Sequence, residues 1–382
     1  MATADKTIRF VVSAAASMPS WYPASAGQVI DLSAALGQST TIFSFLDALN
    51  VFALYPSGTD SRRIDIYSGG ALIYESGRPF IHAFGGGHND GSWNGTMKYG
   101  PLWGSGANTP VWSIGATPSP PGSIVFGSST GLYADGKPSS QHTYNLLVGI
   151  GSRMWCPAPG VSYSNGSVNA SGPPTPHYWE SATDTWTFPA YPAYPTPPGV
   201  GAGGGVTAYN GNLYLYKNPG DPQRLRVFNI AAGTWSMDSN DTTLAGDSTA
   251  LAVDTRRGAL LAIASGTAYD TGAYWPNLAN LSIARRTGIA APPSLISVSL
   301  EYDYDRDAFV VPSTSAASVF ELSASSLASG GSPSWTTRTF SGPTPANVGP
   351  QGLAGRFRAV PELKGYISVP GSQSSVYFYR SA

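Results

Sequence analysis

At 382 residues the chain is long enough for more than one ordinary domain, yet only 11% of it is charged and its formal net charge is -1. Its 21 basic and 22 acidic side chains offer neither the counterion-releasing surface that nucleic acid binding needs nor a polybasic membrane patch. The single cysteine excludes an internal disulfide, and no window approaches the roughly 18 consecutive apolar residues of a membrane-spanning helix.

The first residues, MATADKTIRFVVSAAASMPS, lack a basic region followed by a sustained apolar core and are not read as a signal peptide. Residues 1–60 are the least regular part of the chain. Thr7–Ser13 reads as a strand, and Ser20-Trp21-Tyr22 echoes a Trp-bearing strand that recurs later. The apolar stretch from Thr41 to Pro56 reads as one short helix plus a strand. Beyond it a phrase recurs in five copies, beginning at Tyr144, Ala208, Ala252, Glu301 and Ala359. Each is a strand, a turn rich in Asp, Gly and Arg, and a second apolar strand. Trp112, Trp186, Trp235 and Trp335, each beside Thr or Ser, mark a later strand of the unit.

A repeat of about 50 residues with four short strands predicts a propeller blade, because one blade cannot bury both of its faces alone. Glycine (45) and proline (32), with 12% aromatics, suit short strands joined by tight turns. The first blade is placed from Arg63, with RIDIYSGG as its opening strand, and the second runs from His142 to Trp186 with a Pro/Gly/Ser insertion at 157–176. The third runs from Val206 to Trp235, the fourth from Ser248 to Leu281–Ala284, and the fifth from Leu295 to Trp335. The last copy supplies only three strands before the C-terminus, so its fourth is expected from the N-terminal segment around Trp21. The expectation is an all-β, six-bladed propeller of four-stranded antiparallel blades, or seven-bladed if 25–60 holds a degenerate one. Residues 1–60 donate the closing strand and 61–382 form the propeller.

Three phrases in this order, FGGGHNDGSWNG (Phe84–Gly95), DGKPSSQHTYN (Asp135–Asn145) and GRFRAVPELKGYISV (Gly355–Val369), resemble kelch-like, galactose-oxidase-type propellers of bacteria and tailed phages. After Asn94, where that family continues with an acidic-aromatic strand, this chain reads GTMKYG.

The candidate chemistry gathers on the same phrases. Three glycines would let His88 and Asp90 approach a shared central mouth, next to His142. With Tyr144, the pair His88 and His142 would form the acid/base equipment of a polysaccharide lyase; alternatively the imidazoles hold neighbouring blades in register. His88, Asp90 and His142 could supply three metal ligands, but without compact ligand spacing no metal site and no cofactor is expected. Cys156, in MWCPAPG, reads as packing rather than as the cross-linked cysteine of a copper-radical oxidase. A dinucleotide-type string at Gly199–Gly204 and a nucleophile-elbow string at Gly127–Gly131 both lack the required helix context. Arg356 and Arg358 alternate on one strand face, and an inward Arg356 could meet an acidic sugar. Aromatics placed in loops, Trp93, Trp103, Trp179 and Trp275 with Tyr178, Tyr191, Tyr194 and Tyr274, either stack on sugar or partner protein or pack back over blade edges.

Two classes of function fit. The first, favoured by the resemblance, is a non-enzymatic virion structural or adhesion protein of a tailed phage. Its partners would be other virion proteins and host-surface polysaccharide, with no nucleic acid and no membrane insertion, and His88, Asp90, Trp93, Trp103, Trp179, Trp275 and Arg356 would form its binding set. The second is a carbohydrate-active enzyme, a polysaccharide lyase or a hydrolase, with His88, His142 and Tyr144 as catalytic residues. A hydrolase needs paired carboxylates, and these phrases offer only Asp90 and Asp135. The location is the virion in the first case and a bacterial compartment, cytoplasmic or non-classically exported, in the second.

Overall fold

A computed structural model describes residues 18–55, 68–85, 92–103, 109–126, 128–158, 160–162, 170–194, 203–218, 225–237, 248–265, 271–293, 299–346 and 352–382. Alternating apolar residues and tight turns fold these into six four-stranded antiparallel sheets. From the axis outwards, blade 1 is Gly69–Glu75, Arg78–Phe84, Met97–Gly100 and Val111–Ile114. Blade 2 is Val148–Ile150, Arg153–Cys156, His177–Glu180 and Thr185–Thr187. Blade 3 is Gly203–Tyr209, Asn212–Asn218, Arg226–Asn229 and Thr234–Met237. Ser248–Asp254, Ala259–Ser265, Thr271–Trp275 and Arg286–Ala290 form blade 4. Glu301–Asp303, Ala308–Pro312, Ser318–Ser323 and Thr336–Thr339 form blade 5. Blade 6 is Phe357–Val360, Gly365–Ser368, Tyr377–Arg380 and, outermost, the N-terminal strand Gln28–Asp31. Each inner strand touches the inner strands of the blades before and after it, and blade 6 touches blade 1. The protein is a six-bladed β-propeller.

The six hydrophobic clusters are the six wedges between consecutive blades. Ile73, Leu147, Met154 and Trp179 fill the one between blades 1 and 2, and Leu261, Ile263, Phe309 and Leu322 the one between blades 4 and 5. Every blade therefore depends on both neighbours for burial. The recurrent tryptophans have a local cause: Trp112, Trp186 and Trp235 lie on outer strands, opposite Tyr99, Trp179 and Phe228 of the third strands. Such cross-strand aromatic pairs cover the thin outer edge of a blade.

Ring closure uses the N-terminal segment, a few residues beyond the expected place. Gln28–Asp31 pairs antiparallel with Tyr377–Arg380, in the register Gln28 to Arg380 and Asp31 to Tyr377. Trp21 itself sits in a turn and packs edge-on against Phe378, with ring centroids 5.4 Å apart. The Tyr22 hydroxyl donates to the Leu363 carbonyl at 2.8 Å.

Several segments differ from the sequence reading. The described part of the Thr41–Pro56 stretch, to Tyr55, holds two helices, Ile42–Ala48 and Val51–Leu54, and no strand, because Asn50 enters the left-handed region (φ 58) and restarts the chain. Their buried Ile42, Leu46 and Val51 cap the wedge between blades 6 and 1, so no seventh blade forms from 25–55. The first described strand of blade 1 begins at Gly69; RIDIY of the expected opening strand lies outside the described residues. The outer strand of blade 4 begins at Arg286, past LSIA; it has no tryptophan to mark it.

If the N-terminal segment closes the ring, Trp21→Ala should lower stability by about 3 kcal/mol. Leu49→Ala, at the exposed C-terminal cap of the first of those two helices, should change it by less than about 0.5 kcal/mol. Urea denaturation midpoints of the two variants check this.

Candidate functional site

The two ends of the propeller axis are built differently. At the end where the inner strands begin, the backbones of adjacent blades interlock. A Cβ at Gly69 would overlap the Tyr144 carbonyl oxygen. Gly69 N–H donates to the Thr143 hydroxyl at 2.6 Å, Val206 N–H to Asn145 O at 2.8 Å, and Asn145 Nδ2 to Thr249 O at 3.1 Å. Gly355 N–H donates to Ser299 Oγ at 2.7 Å. Among the described residues this end is sealed by hydrogen bonds that run from blade to blade, three of these four between main chain and a side chain.

His142 and Tyr144 lie in that seal. Their rings meet edge to face, 5.7 Å apart, and are 4% and 6% exposed. Tyr144 takes φ 40, a conformation held by the blade contacts around it. The structure thus brings the expected His/Tyr pair together, but inside a packed interface. His88 and Asp90 lie outside the described residues.

The other two histidines are internal as well. His82 bonds Glu75 through Nε2 at 3.0 Å, beside the Lys98 ammonium. His177 Nδ1 bonds the Thr175 carbonyl at 2.9 Å, with its ring stacked on Phe188. Burial pushes both imidazoles below their ordinary range, His177 to about 4. Among the described residues no three His, Cys, Asp or Glu side chains cluster to hold a metal ion.

The aromatics expected in exposed loops belong to the wedges instead. Trp93, Trp179 and Trp275 are at most 2% exposed, and Trp103 packs partly buried against the Trp93 cluster. Trp179 and Trp275 are on strands, not loops, and Trp179 Nε1 donates to Asp184 at 3.0 Å. Tyr194 and Tyr274 are buried too, while Tyr178 and Tyr191 pack partly buried against the wedge between blades 2 and 3. Large rings fill the space that widens between blades away from the axis, which is why their loop-like sequence surroundings mislead. Cys156 lies buried in the wedge between blades 1 and 2. Arg356 is buried at the sealed end, where its Nη2 donates to Gly352 O at 2.7 Å.

The inward arginine is Arg358. Its Nη1 donates to Glu301 Oε1 at 2.8 Å, its Nε and Nη2 to Gly70 O at 3.1 and 2.6 Å, and its Nη2 also to Leu147 O at 3.0 Å. One guanidinium in blade 6 therefore joins blades 5, 1 and 2 at the axis. Glu301 Oε2 accepts from Ala359 N–H at 3.2 Å. Burial raises the Glu301 carboxyl above its ordinary value, against the pull of Arg358.

Beyond this pair the axis widens into a cavity of about 680 Å³ that all six blades line. It opens at the end where the inner strands finish, opposite the His142 side. Leu72, Val148, Val206, Leu251 and Leu300 form its wall, and Tyr74, Thr255, Tyr304, Asp305, Glu362 and Lys364 its mouth. Tyr74 donates its hydroxyl to Glu362 at 3.0 Å; burial, and then that carboxylate, raise the phenol and keep it protonated. Arg256 stacks on the ring of Tyr304 at 4.3 Å. Between blades 4 and 5, Arg257 bonds both oxygens of Asp307 at 2.6 Å and also Asp254; Arg257, with the Tyr302 hydroxyl, draws the Asp307 carboxyl down to about 2.

None of these mouth residues stood out in the sequence. Glu301 carried a signal that went unused: it holds the repeat position that is alanine at 208, 252 and 359.

No family model and no curated protein matches the sequence. Solved propellers do resemble the structure. YjhT is similar at 10% identity and a TM-score of 0.47, over 85% of this chain and 95% of that one. XC5397, a gluconolactonase of Xanthomonas campestris, is similar at 8% and 0.46, over 85% and 87% of the two chains. The GH74 enzyme of Niastella koreensis is similar at 14% and 0.40, over 81% and 52%. At such identities the likeness carries no activity, and the fold rests on the chain's own strand order.

The histidine burial has a pH consequence. An unfolded His177 takes up its proton near 6.5, the folded one only near 4. The stability that rests on the neutral ring is complete above pH 6.5 and falls as the pH drops through that window, by about 3 kcal/mol in all. His177→Asn should flatten this part of the dependence, measured as urea midpoints at about pH 7 and about pH 4.5.

Proposed function

We propose that the protein is a non-enzymatic recognition propeller. The observation that carries this reading is the placement of the candidate acid/base groups among the described residues. His142 and Tyr144 are locked in a blade interface, and Glu301 is held by Arg358. General acid/base catalysis needs a group within hydrogen-bond reach of substrate, and none of these three is presented that way. The open end of the axis is instead a preformed cavity with a polar, aromatic mouth, the usual form of a ligand site.

The finer role proposed is a structural or adhesion component of a tailed-phage virion, docked on tail or capsid proteins and recognising host-surface polysaccharide. The kelch-like phrases support it, as does a surface with little charge that suits permanent packing among other proteins. The competing reading, a polysaccharide lyase or hydrolase, draws on the adjacency of His142 and Tyr144.

One set of assays separates the two. Purified protein is incubated with a panel of bacterial capsular and lipopolysaccharide-derived glycans. New reducing ends and unsaturated uronate absorbance report turnover, and retention on the immobilised glycans reports binding. Retention without turnover is expected. Turnover that His142→Ala abolishes, at unchanged melting temperature, would establish the enzyme reading instead.

A further inference from the structure

The cavity at the open end of the axis has two unlike halves. Blades 2 and 3, with Leu251 and Val253 of blade 4, line it with mostly small or apolar groups, among them Gly149 and Ala208, while Thr255 of blade 4 reaches the mouth. Blades 5, 6 and 1 bring polar and aromatic groups to the mouth: Tyr304 and Asp305, then Glu362 and Lys364, then Tyr74. The asymmetry follows from the turns. The inner hairpins of blades 5 and 6 carry the side chains of YDRD and ELK, while Gly149 and Ala208 leave the opposite wall smooth.

The polar half is organised before any ligand arrives. Tyr304 is 45% exposed, and the Arg256 guanidinium stacked on its ring gives a second anchor by donating to its carbonyl oxygen. Glu362 is fixed by the Tyr74 hydroxyl, which reaches both of its oxygens at 3.0 Å. A carboxylate oxygen offers more than one acceptor direction, so Glu362 can take further hydroxyl donors while holding Tyr74.

Charge narrows the ligand class. Besides the Glu301–Arg358 pair, the lining carries the carboxylates Asp303, Asp305 and Glu362 and the cation Lys364, with Arg256 beside it on the ring of Tyr304. The deepest cation, Arg358, is committed to Glu301 and to two carbonyls. No net positive field is left to select an acidic sugar or a phosphate. What suits an uncharged, half-apolar funnel is a rigid ring with hydroxyls on its edge and a C–H face. The volume of about 680 Å³ falls within the ~300–1,000 Å³ typical of small-molecule sites.

We infer that this cavity is a binding site for a neutral hexopyranose unit of an oligosaccharide. The hydroxyl edge meets Glu362, Asp305 and Lys364, and the ring enters on the end of the axis opposite the His142 phrase. The inference rests on the recognition role proposed above and assigns that role a place and a sugar class.

Saturation-transfer NMR on the full chain tests it with four probes: maltose, lactose, cellobiose and the acidic disaccharide digalacturonate. Transfer to at least one neutral disaccharide, and not to digalacturonate, is expected. Thr255→Trp fills the mouth from an exposed turn, and Glu362→Gln keeps an acceptor for Tyr74 while removing the charge. Each should weaken the apparent affinity by about tenfold or more at unchanged melting temperature. Neutral-sugar transfer that survives both substitutions would overturn this site and leave glycan recognition to another surface. Preference for digalacturonate would overturn the sugar class. Absence of transfer to all four from folded protein would overturn the inference, and retention on immobilised glycan would then show whether the recognition role survives without it.

Discussion

The Arg358 guanidinium is the contact on which the centre of the molecule depends. It comes from the inner strand of blade 6 and ends on Glu301 of blade 5, Gly70 of blade 1 and Leu147 of blade 2. Four blades thus share one planar group whose fork geometry fixes the angles between them. Removal of either charge would strand the other where water is scarce, so the pair is costly to break even if its own net stabilisation is modest. It also sets the floor of the axial cavity, so it decides at which end a ligand enters.

Around that centre the propeller is held by six apolar wedges, and the wedge between blades 6 and 1 shows best how the sequence builds the ring. Its inner part comes from blade strands, including Ile81, Tyr99 and Phe378, and its outer part from Trp21, Ile42, Leu46 and Val51 of the N-terminal segment. The N-terminal residues therefore supply both the last hydrogen-bonded strand and the lid of the neighbouring wedge. A ring left open here would expose an unpaired edge of blade 6 along Tyr377–Arg380.

The sequence carried the architecture because the repeat is a backbone signal: strand, polar turn, strand, tryptophan. It announced six units and a missing strand at one end. The site was far less legible. Burial of Trp179 or Trp275 is a property of the wedge between two blades, and residues far apart in the chain create that wedge. The His142 and Tyr144 rings meet, yet nothing in their local phrase reveals that the start of blade 1 packs over them. Arg356 and Arg358 alternate on one strand, and only the register of blades 5, 6, 1 and 2 decides that Arg358 takes the axis. The mouth residues were hidden for the opposite reason: Tyr304, Asp305, Glu362 and Lys364 look like ordinary solvated turn residues until six turns are brought to one end.

A double-substitution cycle at the axis tests the centre of this account most directly. Arg358→Met and Glu301→Leu are made singly and together, and each protein is unfolded in urea. If the pair ties the blades, each single change costs about 3–5 kcal/mol, and the double change costs clearly less than the two combined, because neither charge is left stranded. Simple additivity, or single changes below about 1 kcal/mol, would contradict it and mean that the wedges alone hold the ring.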